Sequence, residues 1–541
     1  MAGLATAFGS GAMTNTIADL GQAACFLVIG SNTTETHPVI ALQIVKSLRQ
    51  GGKLIVADPR EIPLCPRATI CLRHRPGSDL ALLSGMARVI LDEGLYDQKF
   101  VAERCENFEA FKESLKAFDL ATVERLTGTP AATIAEAARL YATTKPAAIL
   151  YAMGITQHSH GTENVLAIAN LAMLTGNVGK PGSGVNPLRG QNNVQGACDV
   201  GALPNVFTGY QSVTIPELRN KFETAWGVTL PAQPGLTLTE MFKAAAEGKI
   251  KVIYQVGENP LVSDPDSKHV EEGVKSLDLY VVQDIFLTES ARYAHVVLPA
   301  ASFAEKEGTF TNTERRVQRV RKAVRSPGEA KSDWWIICQI AKRMGAKGFD
   351  YVDESQIMEE IAKVTPSYGG ISLDRLDREG SLQWPCPTSD HPGISILHTQ
   401  VFTRGKGRFM PVTYQPPDET IDNEYPLVLT TARSYYHYHT GTMTRKVEAL
   451  NIMEPGELVA INAKDAKALG IAEGDWVQVS SRRGKVKVQA KITDTTPPGV
   501  VTMSFHFSEC LTNALTNPCL DPVAKIPELK VCAVRVGKMP L

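Results

Sequence analysis

CFLVIGSNTTETHPVIALQIVKSLR, Cys25 to Arg49, decides the fold. Cys25 to Gly30 is an unbroken apolar run of strand length. It stops at Ser31-Asn32-Thr33-Thr34, and helical character follows from His37 to Arg49. A strand without polar alternation is buried on both faces, which is the habit of a parallel sheet layered between helices. KLIVADPR, Lys53 to Arg60, repeats the pattern, and such strands alternating with helices predict an α/β layer. SDLALLSGMARVILDE, Ser78 to Glu93, reads as an amphipathic helix with Ser78 at the N-cap, Asp79 in the first turn and Gly94 at the stop. AAILYAMG predicts another strand, then a helix from about Thr162 to Leu174 running into the glycine-rich TGNVGKPGSGVNP.

A second α/β section extends from Gln191 to Val324, with strands at KVIYQVG (Lys251 to Gly257), LDLYVVQD (Leu277 to Asp284) and HVVLPA (His295 to Ala300); a helix follows at Ser332 to Gly345. Proline clusters in QWPCPTSDHPG and PVTYQPPDETIDNEYP predict an inter-domain linker. Beyond Tyr425 the chain turns to short β-branched runs, LVLTTAR, WVQVSSRRGKVKVQAKIT and GVVTMSF, with one small helix at AKDAKALGI. That texture predicts a β-barrel-like domain. The expected architecture is two interleaved parallel-sheet, nucleotide-binding-like α/β domains plus a C-terminal β-barrel. Residues 1–190 form the first part of one α/β domain, 191–330 the second, 331–395 a return to the first, and 396–541 the barrel.

At 541 residues the chain exceeds what one core organises. A net charge of −1 argues against a nucleic-acid partner. The composition, 43% hydrophobic and 21% charged, is that of a globular protein, and no apolar run reaches the roughly 18 residues of a membrane span. Ten cysteines, none in CxxC, do not make a disulfide scaffold. The closest pair, Cys65 and Cys71, has neither zinc nor iron–sulfur spacing, so thiols in a reducing compartment are expected. MAGLATAFGSGAMTN lacks the features of a signal peptide and opens as if inside a domain.

Each apolar strand ends in a polar, glycine-bearing turn: Gly30-Ser31-Asn32, Asp58-Pro59-Arg60, Met153-Gly154 with Gln157, Gly257-Glu258-Asn259, Gln283-Asp284. Ligands of open α/β sheets bind beyond the carboxyl ends of the strands. Asp58 stands where dinucleotide folds place an acid that reads ribose or base. GxGxxG is absent, so five such turns favour a large nucleotide-bearing cofactor over a nicotinamide. In NPLRGQNNVQGACDVG, Asn186 to Gly201, Arg189, Gln191, Asn192, Asn193 and Gln195 stand among glycines. That density of amides beside one guanidinium suits a buried site that fixes a cofactor and holds a small anion. TARSYYHYHTGT places His437 and His439 two apart after a strand, a possible metal pair on one face; with no third ligand nearby, hydrogen bonding by His437 is the stronger reading. ERRVQRVRKAVR, Glu314 to Arg325, reads as a solvated or partner-facing strand.

At RGQNNVQGACD the chain resembles the catalytic alpha subunit of molybdopterin-dependent formate dehydrogenases, within the wider bis-molybdopterin oxidoreductase superfamily. The likeness extends over AGLATAFGSGAMTN, VIGSNTTETHP, ADPR, YAMGITQ, LAMLTGNVGKPGSGVNPLRGQNNVQGACDVGALPN, VVQDIF, HVVLPA, EGTFTNTERRVQ and KIPELKVCAVRV. The RGQNN form resembles formate dehydrogenases rather than nitrate or sulfoxide reductases. The resemblance implies that Arg189 holds the formate carboxylate. It implies that Asn32, Glu35, Asp58, Arg60, Gly77, Asp79, Met153, Gly154 and Gln157 line one pterin guanine dinucleotide, and Gly257, Asn259, Ser263, Gln283 and Gln191 the other. Arg433, His437 and Lys530 would come from the barrel.

The implied cofactor is bis-molybdopterin guanine dinucleotide carrying molybdenum or tungsten. The metal-ligating selenocysteine or cysteine and a 4Fe-4S domain are implied upstream of Met1, so no metal ligand is assigned within the chain. Formate and carbon dioxide, an electron-transfer subunit bearing iron–sulfur or flavin groups, and a cytoplasmic location without membrane insertion complete the expectation. His295 stands where the family commonly has Asp, and Glu35 where relatives often have a shorter Asp. A non-catalytic structural subunit of a redox complex, or another molybdopterin oxidoreductase such as an assimilatory nitrate reductase, is the alternative.

Overall fold

Strand β1 (Cys25–Ile29) sends alternate side chains into two different cores. Cys25, Leu27 and Ile29 enter one, and Phe26 and Val28 the other. It is the middle strand of a parallel sheet with β2 (Lys53–Ala57), β3 (Ile70–Leu72), β4 (Ala147–Tyr151) and β5 (Gly184–Pro187), in the order β3-β2-β1-β4-β5. Cys25 pairs with both Lys53 and Ala147. Helix α1 (Pro38–Arg49) buries Ile40 and Ile44 on one face of the sheet. The opposite core is built with α2 (Asp79–Asp92), α3 (Ala131–Thr143) and α4 (Gly161–Leu174). The strand order reverses between β1 and β4, so a crevice opens beyond their carboxyl ends.

The computed structural model describes residues 1–539. The chain forms two compact units, one of residues Met1–Leu188, Val262–Ser267 and Ile396–Leu541, the other of Arg189–Leu261 and Lys268–Ser395. Two local expectations in the first unit need correction. Ser78 occupies the N-cap of α2, but its hydroxyl donates back to the Arg75 carbonyl at 2.7 Å and caps nothing. Cys65 and Cys71, expected as thiols, are joined as a disulfide, because the turn after β2 returns to β3 with their Cα atoms 5.6 Å apart.

The second unit opens with α5 (Val194–Asp199) and continues through α6 (Leu238–Ala246) and α7 (Ser267–Lys275). Its parallel sheet is β6 (Val252–Val256), β7 (Leu279–Asp284) and β8 (Val296–Pro299), in the order β8-β7-β6. Phe242, Val270, Val274, Tyr280 and Val282 form the core on one face. The other face departs from the buried habit of parallel strands, with Val252, Tyr254, Val256, Leu279 and Val296 exposed. An antiparallel sheet follows, of β9 (Gly308–Thr311), β10 (Arg316–Val320) and β11 (Ser381–Gln383), with α8 (Asp333–Arg343) between its last two strands.

Residues 331–395 belong to this second unit rather than returning to the first. Arg315 explains why. Expected on a solvated strand, it is fully buried and donates to the carbonyls of Trp384, Ile394 and Ser395. The proline-rich stretch it grips is no linker there, since Trp384 and Cys386 are core residues.

The C-terminal barrel closes from β12 (Leu427–Thr431), β13 (Leu458–Ile461), β14 (Trp476–Ser480), β15 (Lys485–Ile492), β16 (Val500–Met503) and β17 (Cys532–Lys538), in the order β12-β16-β13-β15-β14-β17. Val486, Val488 and Ala490 of β15 point inward between the exposed Lys485, Lys487, Gln489 and Lys491, the period of two that a barrel wall needs. The barrel is fastened to the first α/β layer at the start of α4. Thr162 donates its N–H and hydroxyl to Asp521, both at 2.8 Å, and Ser159 donates its N–H and hydroxyl to Glu528. Two buried carboxylates thus meet the positive end of a long helix and its orphan donors.

Candidate cofactor and substrate site

In the first unit the site is built at the switch point. Gly30 ends β1 with φ +57°, and the Gly154 N–H donates to its carbonyl at 3.0 Å. Met153, 42% exposed, stands at the rim of that turn. Gln157 lies below it, 5% exposed, and its Oε1 accepts no hydrogen bond from any described residue. A buried acceptor left open this way needs a donor from a ligand.

After β2, Asp58 is buried and accepts the Arg60 N–H at 2.9 Å, so one carboxylate oxygen closes its own turn. After β1, Asn32 accepts the Thr34 hydroxyl at 3.2 Å. Burial raises the Glu35 carboxyl while the Arg60 charge holds it down.

The barrel brings cations to the same region. Lys530 is buried, donating to the Thr431 carbonyl at 2.6 Å. Burial first, then the Arg433 and Arg60 charges, push its ammonium well below the ordinary lysine range, and Asp58 opposes them. Arg433 lies 4.1 Å over the Phe505 ring, and burial lowers its guanidinium to about 10. Three basic groups crowded against one carboxylate are strained as they stand, and a polyanion relieves that strain. The residues present therefore fit a phosphate-bearing cofactor.

Other expected site residues make contacts within the protein. His437 lies in a loop, not on a strand, with Nε2 on the Glu454 carbonyl at 2.8 Å and Nδ1 on the Thr444 hydroxyl at 3.3 Å. His439 stands beyond it with φ 51°, so the two do not share a strand face. Gly77 has φ +80°, and a Cβ there would come 2.4 Å from Pro417, so backbone geometry and packing already demand glycine. Asp79 is buried between His74, 2.8 Å from its Oδ1, and His158, 3.6 Å from its Oδ2. Sequence reading missed this pair. Its signal was the His158 that follows Gln157, and its partner Glu528 lies 370 positions further on.

In the second unit Arg189 is half-buried and its N–H donates to the Thr313 hydroxyl at 3.2 Å. Its guanidinium rests against Cys198, countering the rise that burial imposes on that thiol. The four amides expected beside Arg189 around a buried ligand divide in two. Gln191 and Asn192 are exposed, whereas Asn193 accepts the Thr311 N–H at 2.8 Å and Gln195 donates to Asp199 at 2.7 Å. Gly257 has φ +63° and open space where a Cβ would lie, so the end of β6 presents bare backbone.

Two amides near that turn are engaged by the protein itself. Asn259 donates to Glu289 and accepts from Ser290, and Gln283 accepts from the Tyr254 hydroxyl and donates to Asp333. Ser263, in the first unit, donates to Asp264 at 3.0 Å. His295 opens β8, far from the strand ends that carry the turns, and its Nδ1 accepts the Tyr280 N–H at 2.9 Å.

A parallel sheet with a glycine-lined switch point, joined to a barrel that brings in the buried Lys530 and the half-buried Arg433, suits a large anionic nucleotide cofactor. Residues 3–343 match the family described as Molybdopterin oxidoreductase, and residues 427–533 match the Molydopterin dinucleotide binding domain. The chain belongs to the molybdopterin oxidoreductase family. It is 50% identical over 542 residues to the F420-dependent formate dehydrogenase 2 subunit alpha of Methanococcus maripaludis, covering 99% of this chain and 79% of that one. It is 41% identical to formate dehydrogenase H of Escherichia coli, covering 99% and 76%. Among solved structures, acetylene hydratase from Pelobacter acetylenicus shares the fold, with a TM-score of 0.78 at 23% identity over 99% of this chain and 80% of that one.

Proposed function

We propose that the chain is the catalytic, alpha-type subunit of a formate dehydrogenase, interconverting formate and carbon dioxide at a bis-molybdopterin guanine dinucleotide centre. Three relatives at 49–50% identity carry that activity in their names. The observation that carries the reading is Arg189, held at the head of α5 with both ends of its loop tied to β9 and the turn after it.

The dinucleotide-bound molybdenum or tungsten supplies the two-electron chemistry. This chain binds and aims. Formate offers one C–H bond and two oxygens, and the planar Arg189 guanidinium grips both oxygens so that the hydrogen faces away from it. Loss of that hydrogen, as hydride or as a proton with two electrons, leaves linear carbon dioxide, which has no carboxylate for Arg189 to hold.

Arg60, Arg433 and Lys530 neutralise phosphates of one dinucleotide. Gln157 supplies the open acceptor to it, and Asn32, Glu35, Asp58, Met153 and Gly154 line it. The bare Gly257 turn and Gln191 would line the other dinucleotide. Asn259 and Gln283 shape that turn rather than reach out of it, and Gly77, Asp79 and His437 hold their own surroundings in place. Electrons leave through an iron–sulfur- or flavin-bearing partner, and the names of three relatives favour F420 as final acceptor. No helix among the described residues is long and apolar enough to cross a membrane; a cytoplasmic location is part of the proposal.

Arg189→Ala in the loaded enzyme tests the reading. It should cost about 2–5 kcal/mol in kcat/KM for formate, the loss of one partner of a desolvated charge pair. Arg189→Lys should restore only part, lacking the two-pronged grip. Near-normal formate kinetics in Arg189→Ala with full metal content would overturn the assignment. Turnover of nitrate in place of formate would move the chain to a different branch of the family.

A further inference from the structure

Asp199, at the last turn of α5, is 1% exposed, yet four side-chain donors converge on its carboxylate, each at 2.7 Å. They come from distant segments: Gln195 on α5 itself, Tyr210 at the end of the 208–210 turn, Tyr368 at the end of the 366–368 turn, and Trp384 just after β11. Burial raises its carboxyl, and the four bonds hold it down. So much polar machinery around one acid, with no catalytic part assigned to it, calls for an explanation.

The network runs in a ring around the Arg189 loop. Arg189 is fixed by its N–H on Thr313, and Asn193 is fixed by the Thr311 N–H. The Thr311 and Tyr368 hydroxyls meet at 3.1 Å, and Tyr368 closes on Asp199. Gly196 admits no side chain, because a Cβ would come 2.2 Å from Asn193 Oδ1. Tyr210 has φ 61°, a backbone conformation costly for an aromatic residue and kept only where the surroundings enforce it. Its hydroxyl bonds to Asp199 and Gln195 supply that enforcement. The Arg189 charge acts on both Cys198, the neighbour of Asp199, and Tyr210, a donor to Asp199.

We propose that Asp199 is the positioning residue for Arg189, its carboxylate locking α5 and Tyr210 into the platform against which the guanidinium is held for substrate. The proposal rests on the reading that Arg189 grips the formate carboxylate. Asp199 touches neither substrate nor cofactor in this scheme and acts only through the platform.

The test uses Asp199→Asn and Tyr210→Phe in the loaded holoenzyme, alongside Arg189→Ala. An asparagine offers one acceptor oxygen where the aspartate offers two, so part of the fourfold grip is lost while shape is kept. Asp199→Asn should raise KM for formate roughly tenfold, with kcat changed by less than about twofold, the signature of weakened substrate placement. The inhibition constant of azide, an unreactive small monoanion, should rise in parallel, with pterin released per protein unchanged. Tyr210→Phe, which removes one donor at a partly exposed position, should shift both constants the same way by less. Adding Asp199→Asn to Arg189→Ala should cause no further loss.

Unchanged KM and azide inhibition in both variants, or losses that simply add to those of Arg189→Ala, would overturn the proposal. Should Asp199→Asn shed its pterin, Tyr210→Phe decides alone. If Arg189→Ala itself keeps normal formate kinetics, the functional reading falls and this inference with it. If only the Asp199 and Tyr210 variants are silent, the inference alone fails.

Discussion

Gly154 and Gly30 meet backbone to backbone across the switch point, and a Cβ on Gly154 would lie 2.6 Å from the Gly30 Cα and carbonyl oxygen. No rotamer change relieves such a clash, since the obstacle is main chain. Gly154→Ala should therefore push β1 and β4 apart at their carboxyl ends. We expect a loss of about 1–3 kcal/mol in stability, the usual cost of overpacking, with a fall in bound pterin larger than stability alone explains. Denaturant unfolding and released pterin per protein measure the two effects; wild-type pterin content would separate this contact from the cofactor site.

The buried His74–Asp79 pair predicts a pH signature. Burial opposes the His74 charge, but the Asp79 charge and hydrogen bond outweigh it and raise the imidazole above its ordinary 6.5. A raised histidine stabilises the fold fully below its unfolded value, and that contribution fades as pH climbs through the folded one. Asp79, lowered by His74 despite its burial, contributes above the usual aspartate value and loses its share as pH falls through its depressed one. The gap in Tm between wild type and His74→Gln should thus be wide near pH 6 and narrow toward pH 9. Calorimetry that found the gap constant across that span would mean His74 stays neutral.

Lys530→Met separates stability from cofactor retention. A lysine driven below its ordinary range by burial and by two neighbouring arginines opposes folding in the cofactor-free protein. Methionine of similar length should raise the Tm of that form, by an amount worth about 1 kcal/mol, while the loaded enzyme loses phosphate contact and releases pterin faster. Lower Tm in both forms would show that Lys530 serves packing instead.

The open face of the β6–β8 sheet makes a solution prediction. Val252 and Val256 are 54% and 42% exposed on the same edge strand, with Tyr254 between them. A contiguous apolar strand face of this kind promotes association. The isolated chain should bind an apolar fluorescent dye, and the double change Val252→Lys with Val256→Lys should reduce both dye binding and light scattering. Stability should move by no more than about 0.5 kcal/mol, as at exposed positions generally. Undiminished dye binding would place the apolar surface elsewhere.

Much of this was legible along the chain. CFLVIG, KLIVA and AAILY announce buried parallel strands because an apolar run with no alternation can satisfy only a sheet covered on both sides, and the structure buries all of β1 and β4. The alternating lysines and valines of β15 announce a barrel wall for the complementary reason. The strand-end turns were findable because glycine in the left-handed region, as at Gly30 and Gly257, has few other uses after a strand.

Tertiary structure alone decided which polar groups are free to serve a ligand. Sequence does not show that Asn259 bonds to Ser290 or Gln283 to Asp333. Arg315 looks solvated, yet carbonyls 69 to 80 positions away bury it. Asp199 reads as an unremarked acid until Tyr210, Tyr368 and Trp384 arrive around it. Local sequence determined the strands, helices and turns, because backbone preference and hydrophobic period act over a few residues. The charge and hydrogen-bond state of each site residue depends on groups brought near only when distant segments pack. That is why the chain by itself suggested where a site would lie, while the partners of each residue there came only from the fold.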